Sequence, residues 1–418
     1  MNKCLEIVLK ITERCNIDCT YCYVFNKGDT SYKNNPPVIK KSTLDSLIIF
    51  LQKAIENDGV STVIIDFHGG EPLLMKKTDF ESVCKRLTRE LGDICQLKLA
   101  IQTNGTLVDE EWITIFSKYQ LTVGVSLDGP ESINDECRVD FSGRGTFASV
   151  MKGYKLLESA YNKKQIPHLG ILSVASTKLT GQEAYNFFIK ELKSKSVNFL
   201  LPSEPHQLKS DPEYNTYGQF MCELFDAWVD DGAPKGVIRL LDETVSAIIC
   251  GNEYAEQLQK SFLENHVVLT VSSNGGIGAE DSLKLAKIPN LFDKFNVNKD
   301  TYSDFVNSEV FQGLLRAKYT LSDSCNDCCW QNLCQGGSYA GGLVTRFKTA
   351  TGFNNASKNC ASLESFYSHI ASDLLQRGHS YDFLEKQLLH NAIAWDKFES
   401  KCEFAQTNMH EDIYQIEL

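Results

Sequence analysis

Three cysteines lie close together near the start of the chain, at Cys15, Cys19 and Cys22. Thiolates are soft ligands that suit iron–sulfur clusters and zinc. A [4Fe-4S] cluster is held by cysteine thiolates, so three of them in one loop bind three irons and leave the fourth iron open. Structural zinc sites are instead closed by four ligands. The spacing therefore favours an iron–sulfur cluster with one open coordination position.

The composition predicts the compartment in which these cysteines work. The N-terminus has no secretory cleavage site, and no segment reaches the roughly 18 apolar residues that a membrane span requires. We therefore expect a cytoplasmic protein, in which the 15 cysteines are reduced and clustered ones bind metal. The net charge of -12 argues against a general affinity for nucleic acid or for anionic membranes.

The first half of the chain alternates short β-like runs with amphipathic helices, the pattern of a parallel sheet with crossover helices. Ser42 is predicted to cap the first helix, and Thr78 with Glu81 to form a capping box at the second. Six units are too few for a closed eight-stranded barrel, so we expect an α/β fold with a partial (β/α)6 barrel and ligands at the carboxyl ends of its strands. The predicted strands are 5–12, 61–67, 97–103, 122–127, 168–174 and 197–201.

The alternation stops after about residue 215, which predicts four regions. Residues 1–215 form the partial barrel and 216–262 a helical bridge. A cysteine- and glycine-rich domain follows at 263–362, and 363–418 form a helical tail.

Four motifs at successive predicted strand ends resemble those of the radical S-adenosylmethionine (SAM) superfamily. The cysteine loop matches its C-x3-C-x2-C signature, with the aromatic Tyr21 before the last cysteine. The sequence HGGEP at 68–72 is similar to the GGEP motif of the family, whose glycines let the backbone approach the SAM methionine. QTNG at 102–105 and SLDGP at 126–130, with Arg138, match two further elements of the SAM site.

This resemblance implies a set of cofactor residues and a reaction. The implied SAM-binding residues are Tyr21, Gly69, Gly70, Glu71, Asn104, Ser126 and Arg138, with Ser126 and Arg138 as contacts to the SAM carboxylate and ribose. SAM would chelate the open iron, and an external one-electron reductant of the flavodoxin or ferredoxin type would drive its cleavage. The resulting 5′-deoxyadenosyl radical abstracts a hydrogen atom from the substrate.

The C-terminal cysteines resemble the SPASM extension of radical SAM peptide maturases. Cys325, Cys328, Cys334 and Cys360 match the four ligands of one auxiliary [4Fe-4S] cluster in that family. Ligands of the other auxiliary cluster are missing, because Glu280 and Ser338 occupy cysteine positions of the pattern. The resemblance thus implies two [4Fe-4S] clusters in all, one for SAM and one auxiliary. Cys329 breaks the spacing and is predicted to be a packed thiol.

One acidic residue is a candidate catalytic base. Asp281 occupies the position of an aspartate that is thought to take the substrate proton in the related sulfatase-maturating branch. Burial near a cluster would raise its pKa and make it a better proton acceptor. His68 is predicted either to face the cofactor or to cap a strand end.

The SPASM resemblance points to a ribosomal precursor peptide with a leader as substrate. Glu280, Asp281 and the missing ligands look most like the XYE, FXS and GRRM group, whose XYE branch forms cyclophanes by joining an aromatic ring carbon to a β-carbon. The alternatives are a sulfatase-type maturase that oxidises Cys or Ser, a thioether-forming maturase, and a non-catalytic scaffold. Because the sequence begins almost at the first strand, we expect the leader to add to an exposed strand or to dock on the C-terminal part.

Overall fold

The chain folds into two compact units, which are 1–172 with 262–316, and 173–261 with 317–418. The structure, a computed structural model, describes residues 3–206, 216–250, 266–288, 291–292, 294–337 and 342–389. The division lacks the predicted boundary at 215, and it places 262–316 in the first unit, although the predicted boundary at 262 lies within one residue of the division after Ser261. It differs because a strand at His266–Val271 pairs with the first strand of the chain and so joins the N-terminal sheet.

The first unit is built on a mixed sheet with the strand order β5-β4-β3-β2-β1-β7-β8-β9. Neighbouring strands from β5 to β7 run parallel, and β8 and β9 add antiparallel. Each of the six predicted strands is present, with ends within two residues of the prediction, whereas β7 to β9 were not predicted. The strands are β1 (Lys3–Thr12), β2 (Val60–Gly69), β3 (Gln96–Thr103), β4 (Thr122–Ser126), β5 (Leu169–Val174), β6 (Val197–Leu200), β7 (His266–Val271), β8 (Gly276–Gly278) and β9 (Phe295–Asn296).

The helices of the first unit do not begin where the sequence predicts. The first starts at Lys41 and the second at Lys77, and neither has a side-chain cap. An N-cap residue has extended backbone. In the first helix that residue is Lys40, so Ser42 lies inside the first turn. The predicted capping roles of Ser42 and Thr78 are therefore wrong. The helices of this unit are α1 (Lys41–Asp58), α2 (Lys77–Leu91), α3 (Glu110–Tyr119), α4 (Glu131–Cys137) and α5 (Phe147–Asn162), with shorter segments at Tyr302–Val306 and Glu309–Tyr319.

Strand β1 carries apolar and polar side chains on opposite faces, because successive strand residues alternate. Leu5, Ile7 and Leu9 are buried on one face, whereas Glu6 and Lys10 are buried on the other. The parallel register sets Lys10 beside His68 of β2. Buried polar groups are costly unless they have partners, so this polar face marks the side of the sheet on which a site is built.

The second unit contains β6 and is otherwise mainly helical. The Ala175 amide donates a hydrogen bond to the Leu200 carbonyl oxygen of β6 (2.9 Å). Helices lie at Thr216–Asp230 and Arg239–Cys250, in the region of the predicted helical bridge, and at Cys360–Gln376 and Tyr381–Leu389, in the region of the predicted tail. Among the described residues, no helix has both the length and the apolar character needed to cross a bilayer.

Candidate iron–sulfur and SAM site

The cysteine loop begins where β1 ends and is held from two sides by backbone hydrogen bonds. On one side, the Glu71 amide donates to the Arg14 carbonyl oxygen (2.9 Å). On the other, the amides of Asp18 and Thr20 donate to the carbonyl oxygens of Val139 and Cys137, at 2.7 and 2.9 Å. The two amides that flank Cys19 are thus fixed to the last residue of α4 and to the segment that follows it.

The three loop thiols lie within electrostatic range of one another. Burial raises the pKa of Cys15 to about 12 and that of Cys19 to about 11, and the neighbouring thiolates add to both shifts. Backbone amides oppose the shifts, that of Ile17 at Cys15 and those of Val24 and Phe25 at Cys22. Thiolates crowded in this way need a cationic partner, and amide bonds to sulfur are typical of iron–sulfur sites. The donor set therefore fits a [4Fe-4S] cluster with three cysteine ligands.

A single metal ion does not suit the same residues. Within the described part of the chain, no three His, Cys, Asp or Glu side chains converge on one ion position. Cysteine ligands of a cluster bind separate irons and need no such convergence.

Gly69 and Gly70 are required by the protein backbone itself. A Cβ on Gly69, where φ is +145°, would lie 2.2 Å from the Thr12 carbonyl oxygen, and one on Gly70 would lie 2.3 Å from that of Arg14. The glycines thus let the end of β2 pass against the start of the cysteine loop. This reason for glycine is different from the predicted one, a close approach of the backbone to SAM, which stays a prediction.

Glu71 joins the ends of β2 and β3. Its carboxylate accepts hydrogen bonds from the Leu73 amide (2.9 Å), the Thr103 hydroxyl (2.7 Å) and the Asn104 amide (2.7 Å). Burial raises its pKa to about 7, and these donors oppose the rise. Both carboxylate oxygens have protein partners, so Glu71 acts here as a brace for the loop that follows β3.

Asn104, which Glu71 holds, reaches the cysteine loop. Its side-chain amide donates to Asn16 Oδ1 (2.9 Å) and lies 3.8 Å from Cys15 Sγ. Asn16 in turn donates to the Thr106 hydroxyl (2.8 Å). A predicted cofactor residue and a predicted cluster ligand are therefore neighbours, and Asn16 and Thr106 are contacts that the motif comparison missed.

Tyr21, Asp128 and Arg138 form one buried network. The Tyr21 hydroxyl donates to Asp128 Oδ2 (2.5 Å) and accepts from Arg138 Nη1 (2.6 Å). Burial would lower the pKa of Arg138, but Tyr21 and Asp128 raise it above its ordinary value. Arg138 is thus firmly cationic beside the cluster loop.

Two buried polar atoms near this network have no hydrogen-bond partner among the described residues. They are Arg138 Nε and Gln102 Oε1. The amide nitrogen of Gln102 donates to the Ser126 hydroxyl (2.8 Å), so the predicted contact Ser126 belongs to the same patch. Buried polar groups in native proteins almost always have partners. A donor and an acceptor left open here fit a polar ligand such as SAM.

Asp281 lies in a second buried cluster, at the ends of β1 and β2. It forms an ion pair with Lys10, accepts a hydrogen bond from the Tyr23 hydroxyl (3.0 Å) and lies 3.5 Å from Lys284 Nζ. Lys10 also donates to His68 Nδ1 (2.9 Å). His68 therefore contacts Lys10, a partner that neither of its two predicted roles includes.

The charges of this cluster reverse the expected behaviour of Asp281. Burial alone would raise its pKa, but Lys10 and Lys284 together hold it below the ordinary value. The prediction of a raised pKa is therefore wrong, because the sequence did not reveal the two lysines. Burial and Lys10 lower the pKa of His68 to about 3, so this imidazole is neutral at pH 7.

The four C-terminal cysteines converge in the second unit. Burial raises the pKa of Cys334 to about 12, and Cys360, Cys325 and Cys328 each raise it further. The Gly337 amide, which donates to the Cys334 carbonyl oxygen (2.9 Å), opposes this rise. Cys329 is exposed, so the prediction that it is a packed thiol is wrong. Ser338 lies outside the described residues.

Comparison with known proteins gives one family and a group of similar enzymes. Residues 9–172 match the model of the Radical SAM superfamily. The chain is 27% identical over 403 residues to a serine-type anaerobic sulfatase-maturating enzyme of Bacteroides thetaiotaomicron, covering 90% of each chain. It is 26% identical over 343 residues to a cysteine-type enzyme of Clostridium perfringens, covering 80% of this chain and 88% of that one.

The fold is also that of a solved structure. Native anSMEcpe with bound AdoMet and Cp18Cys peptide aligns with a TM-score of 0.71 at 23% identity, covering 90% of this chain and 98% of that one. Radical SAM proteins bind SAM at a [4Fe-4S] cluster, which the cysteine loop and the open polar atoms beside it suit. The chain therefore carries a radical SAM domain at residues 9–172 and belongs to the radical SAM superfamily.

Proposed function

We propose that this protein is an oxidative peptide maturase of the sulfatase-maturating type, which oxidises a Cys or Ser side chain of its substrate. The observation that carries the proposal is the 27% identity to a serine-type sulfatase-maturating enzyme over 90% of both chains. That similarity extends far beyond the radical SAM domain at 9–172. It therefore includes the region of the C-terminal cysteines.

The cofactors supply the radical and the protein supplies their sites. Cys15, Cys19 and Cys22 would hold a [4Fe-4S] cluster, which with SAM would supply the radical chemistry for hydrogen abstraction from the substrate. Arg138 Nε and Gln102 Oε1 offer an open donor and an open acceptor to the bound SAM. Glu71 keeps Asn104 against Cys15 while this occurs.

Asp281 is the proposed acceptor of the substrate proton. It is ionised at neutral pH, because Lys10 and Lys284 hold its pKa low. A carbon radical beside oxygen or sulfur makes the attached O–H or S–H proton more acidic, so a weak base is sufficient. Tyr23 and Lys10 fix the carboxylate in one orientation for this transfer.

The oxidation also requires an acceptor for one electron. Cys325, Cys328, Cys334 and Cys360 would hold an auxiliary [4Fe-4S] cluster of the SPASM type, which supplies a one-electron acceptor. The mutual electrostatic influence of these four thiols supports the assignment. The protein would then contain two clusters, and a reductant of the flavodoxin or ferredoxin type would serve the first.

Cyclophane formation on a ribosomal precursor peptide is the second candidate. It is favoured by Glu280 and Ser338, which stand at two cysteine positions of the SPASM pattern, as in the XYE, FXS and GRRM group. Hydrogen abstraction, proton loss and electron loss are common to both reactions. They differ in whether the substrate radical becomes a carbonyl-type group or attacks an aromatic ring.

Mass spectrometry of the products separates the two candidates. Reconstituted protein, SAM and a chemical reductant would be incubated with Ser- and Cys-containing sulfatase-type peptides, and separately with short peptides encoded beside the gene. The proposal predicts a product that forms a hydrazone with a hydrazine probe. A product two hydrogens lighter that forms no hydrazone and does not fragment between two residues would instead establish the cross-link.

A further inference from the structure

Arg346 is a buried cation whose donors are used on backbone carbonyls. Only 2% of the residue is exposed. Its Nη1 donates to the Ala317 oxygen (3.1 Å), Nη2 to that of Thr320 (2.7 Å) and Nε to that of Asn355 (3.3 Å). In residues 317–337 and 342–389, as in the rest of the described chain, no carboxylate forms an ion pair with it. A buried charge that lacks a counter-charge is expensive, so a negative group is expected nearby.

The C-terminal cysteines would supply that negative group as thiolate ligands of a cluster. Burial lowers the pKa of Arg346, and Cys325 and Cys334, which lie within electrostatic range of it, oppose this. The loop directly after Cys334 also passes the guanidinium, because a Cβ on Gly336 would lie 3.1 Å from Arg346 Nη1. Arg346 is therefore positioned toward the cysteine site and not toward an acidic side chain.

The loop after Cys334 adds positive potential of its own. Gln335, Gly336 and Gly337 all have positive φ, at +49°, +70° and +84°. Successive amides in such turns form concave anion-binding sites, which are common around iron–sulfur clusters. The Gly337 amide donates to the Cys334 carbonyl oxygen (2.9 Å) and opposes the rise in the pKa of that thiol.

We propose that Arg346 is the counter-charge of the auxiliary cluster and raises its reduction potential, which favours acceptance of the substrate electron. The inference rests on the auxiliary cluster of the proposed function. Four thiolates make a [4Fe-4S] site anionic, and uptake of one electron from the substrate radical, which also loses one proton, makes it more so. Net charge around a cluster is one of the factors that set its potential, and a buried cation stabilises the reduced form most.

The test isolates the auxiliary cluster in the full-length chain. Replacing Cys15, Cys19 and Cys22 by Ala removes the first site, after which iron content and an EPR-monitored redox titration report on the second alone. Arg346→Gln and Arg346→Lys are compared in this background, because both lose the planar guanidinium but only Lys keeps the charge. Arg377→Gln is the matched control, since Arg377 is exposed and pairs with Asp373 on the same helix.

Arg346→Gln should disfavour one-electron reduction at least tenfold, which corresponds to a potential about 59 mV lower. Arg346→Lys and Arg377→Gln should stay near the parent value. Loss of the cluster in Arg346→Gln but not in Arg346→Lys also supports the counter-charge. Equal shifts or equal cluster loss in both variants would show a structural role, and an unchanged potential in Arg346→Gln would overturn the inference. If the parent background binds no iron, the auxiliary cluster itself is wrong, and the inference with it.

Discussion

The two cysteine regions both bring thiols together as candidate cluster ligands, but their surroundings differ. The first sits at the end of a regular strand, next to the ionisable Glu71 and the Tyr21–Asp128–Arg138 network. The second is built from turns and a helix start, and the partners of the buried cation beside it, Arg346, are backbone carbonyls in the part of the chain that the structure describes. At the first site the buried cation, Arg138, has an acidic partner in Asp128, whereas among the described residues Arg346 at the second site has none.

This difference suggests a division of labour. Around the first site, Arg138 Nε and Gln102 Oε1 remain open to a ligand. Around the second, the four thiols lie close to one another and to the Gly337 amide. The cation beside them is Arg346. The first region is suited to bind and cleave a cofactor, whereas the second is suited to hold a closed cluster and take up charge.

The largest effect should come from the first region. Replacing Cys15, Cys19 and Cys22 by Ala should abolish 5′-deoxyadenosine formation, because no open iron remains for SAM. Iron should fall from about eight to about four per chain, as one of two four-iron clusters is lost. Quantification of iron and of 5′-deoxyadenosine under reducing conditions checks both. Continued SAM cleavage by this variant would contradict the assignment of the first region as the site of SAM cleavage.

The corresponding change in the second region should separate SAM cleavage from product formation. A soluble Cys328→Ala protein should still release 5′-deoxyadenosine, but with much less oxidised peptide for each one formed. We expect a loss of at least about 10–100-fold in that ratio, because removing a ligand should cost no less than removing a group that only orients a ligand. Both products are measured in one reaction. A wild-type ratio would mean that this cluster is not the obligatory electron acceptor.

Cys329→Ala is the control for that experiment. Its thiol is adjacent to Cys328 but exposed, and we expect the ratio to be unchanged. An equal effect of both substitutions would show that the local chain, rather than the ligand set, determines the result.

Much of the fold was predictable because its signals are local. The strand pattern located β1 to β6 within two residues of their ends, since each is a short β-like run between helices. β7 was missed because its role depends on pairing with β1, far away in sequence. Both helix starts were missed by two residues, because Lys40 and Lys76 take the backbone position that Ser42 and Thr78 were expected to occupy.

The site was predictable where chemistry follows spacing. Cysteine spacing identified both thiol groups, but it carries no information about their electrostatic surroundings. Lys10 is one polar residue in an apolar strand, and nothing local shows that it meets Asp281. No sequence pattern indicates the contacts of Arg346 either, since its partners are backbone carbonyls.

Lys10 tests the charge balance of the first region. Lys10→Met leaves buried Asp281 with Lys284 as its nearby cation, so destabilisation of about 3–5 kcal/mol is expected for a broken buried pair. Denaturant unfolding measures it. Lys299→Met is the control, because Lys299 is exposed and 3.9 Å from Asp300. Equal destabilisation in the two variants would contradict a buried ion pair.

The same variant has a signature in pH. The pKa of Asp281 is depressed, so its contribution to stability is present above the ordinary value of 3.8 and is lost as pH falls through the folded-state pKa. Without Lys10, burial dominates and that pKa rises. The fall in the free energy of unfolding at low pH should therefore begin at higher pH. The fall in the amount of oxidised peptide for each 5′-deoxyadenosine should move in the same direction. Lys10→Arg keeps the charge and should leave both in place.

The smallest expected effect concerns the contact that positions the cysteine loop. Gly70→Ala would set a Cβ 2.3 Å from the Arg14 carbonyl oxygen, so the loop must shift, at about 1–3 kcal/mol for overpacking. Because Cys15 directly follows Arg14, we expect part of the iron of the first cluster to be lost while the second cluster keeps its own. Gly313→Ala is the matched control, since its nearest neighbour, Arg316 Nη2, is 4.0 Å away. Iron content and EPR of both variants decide the matter. Loss of iron from both clusters in Gly70→Ala would mean that the two regions do not fold independently. Separate roles for the two cysteine regions would then be contradicted.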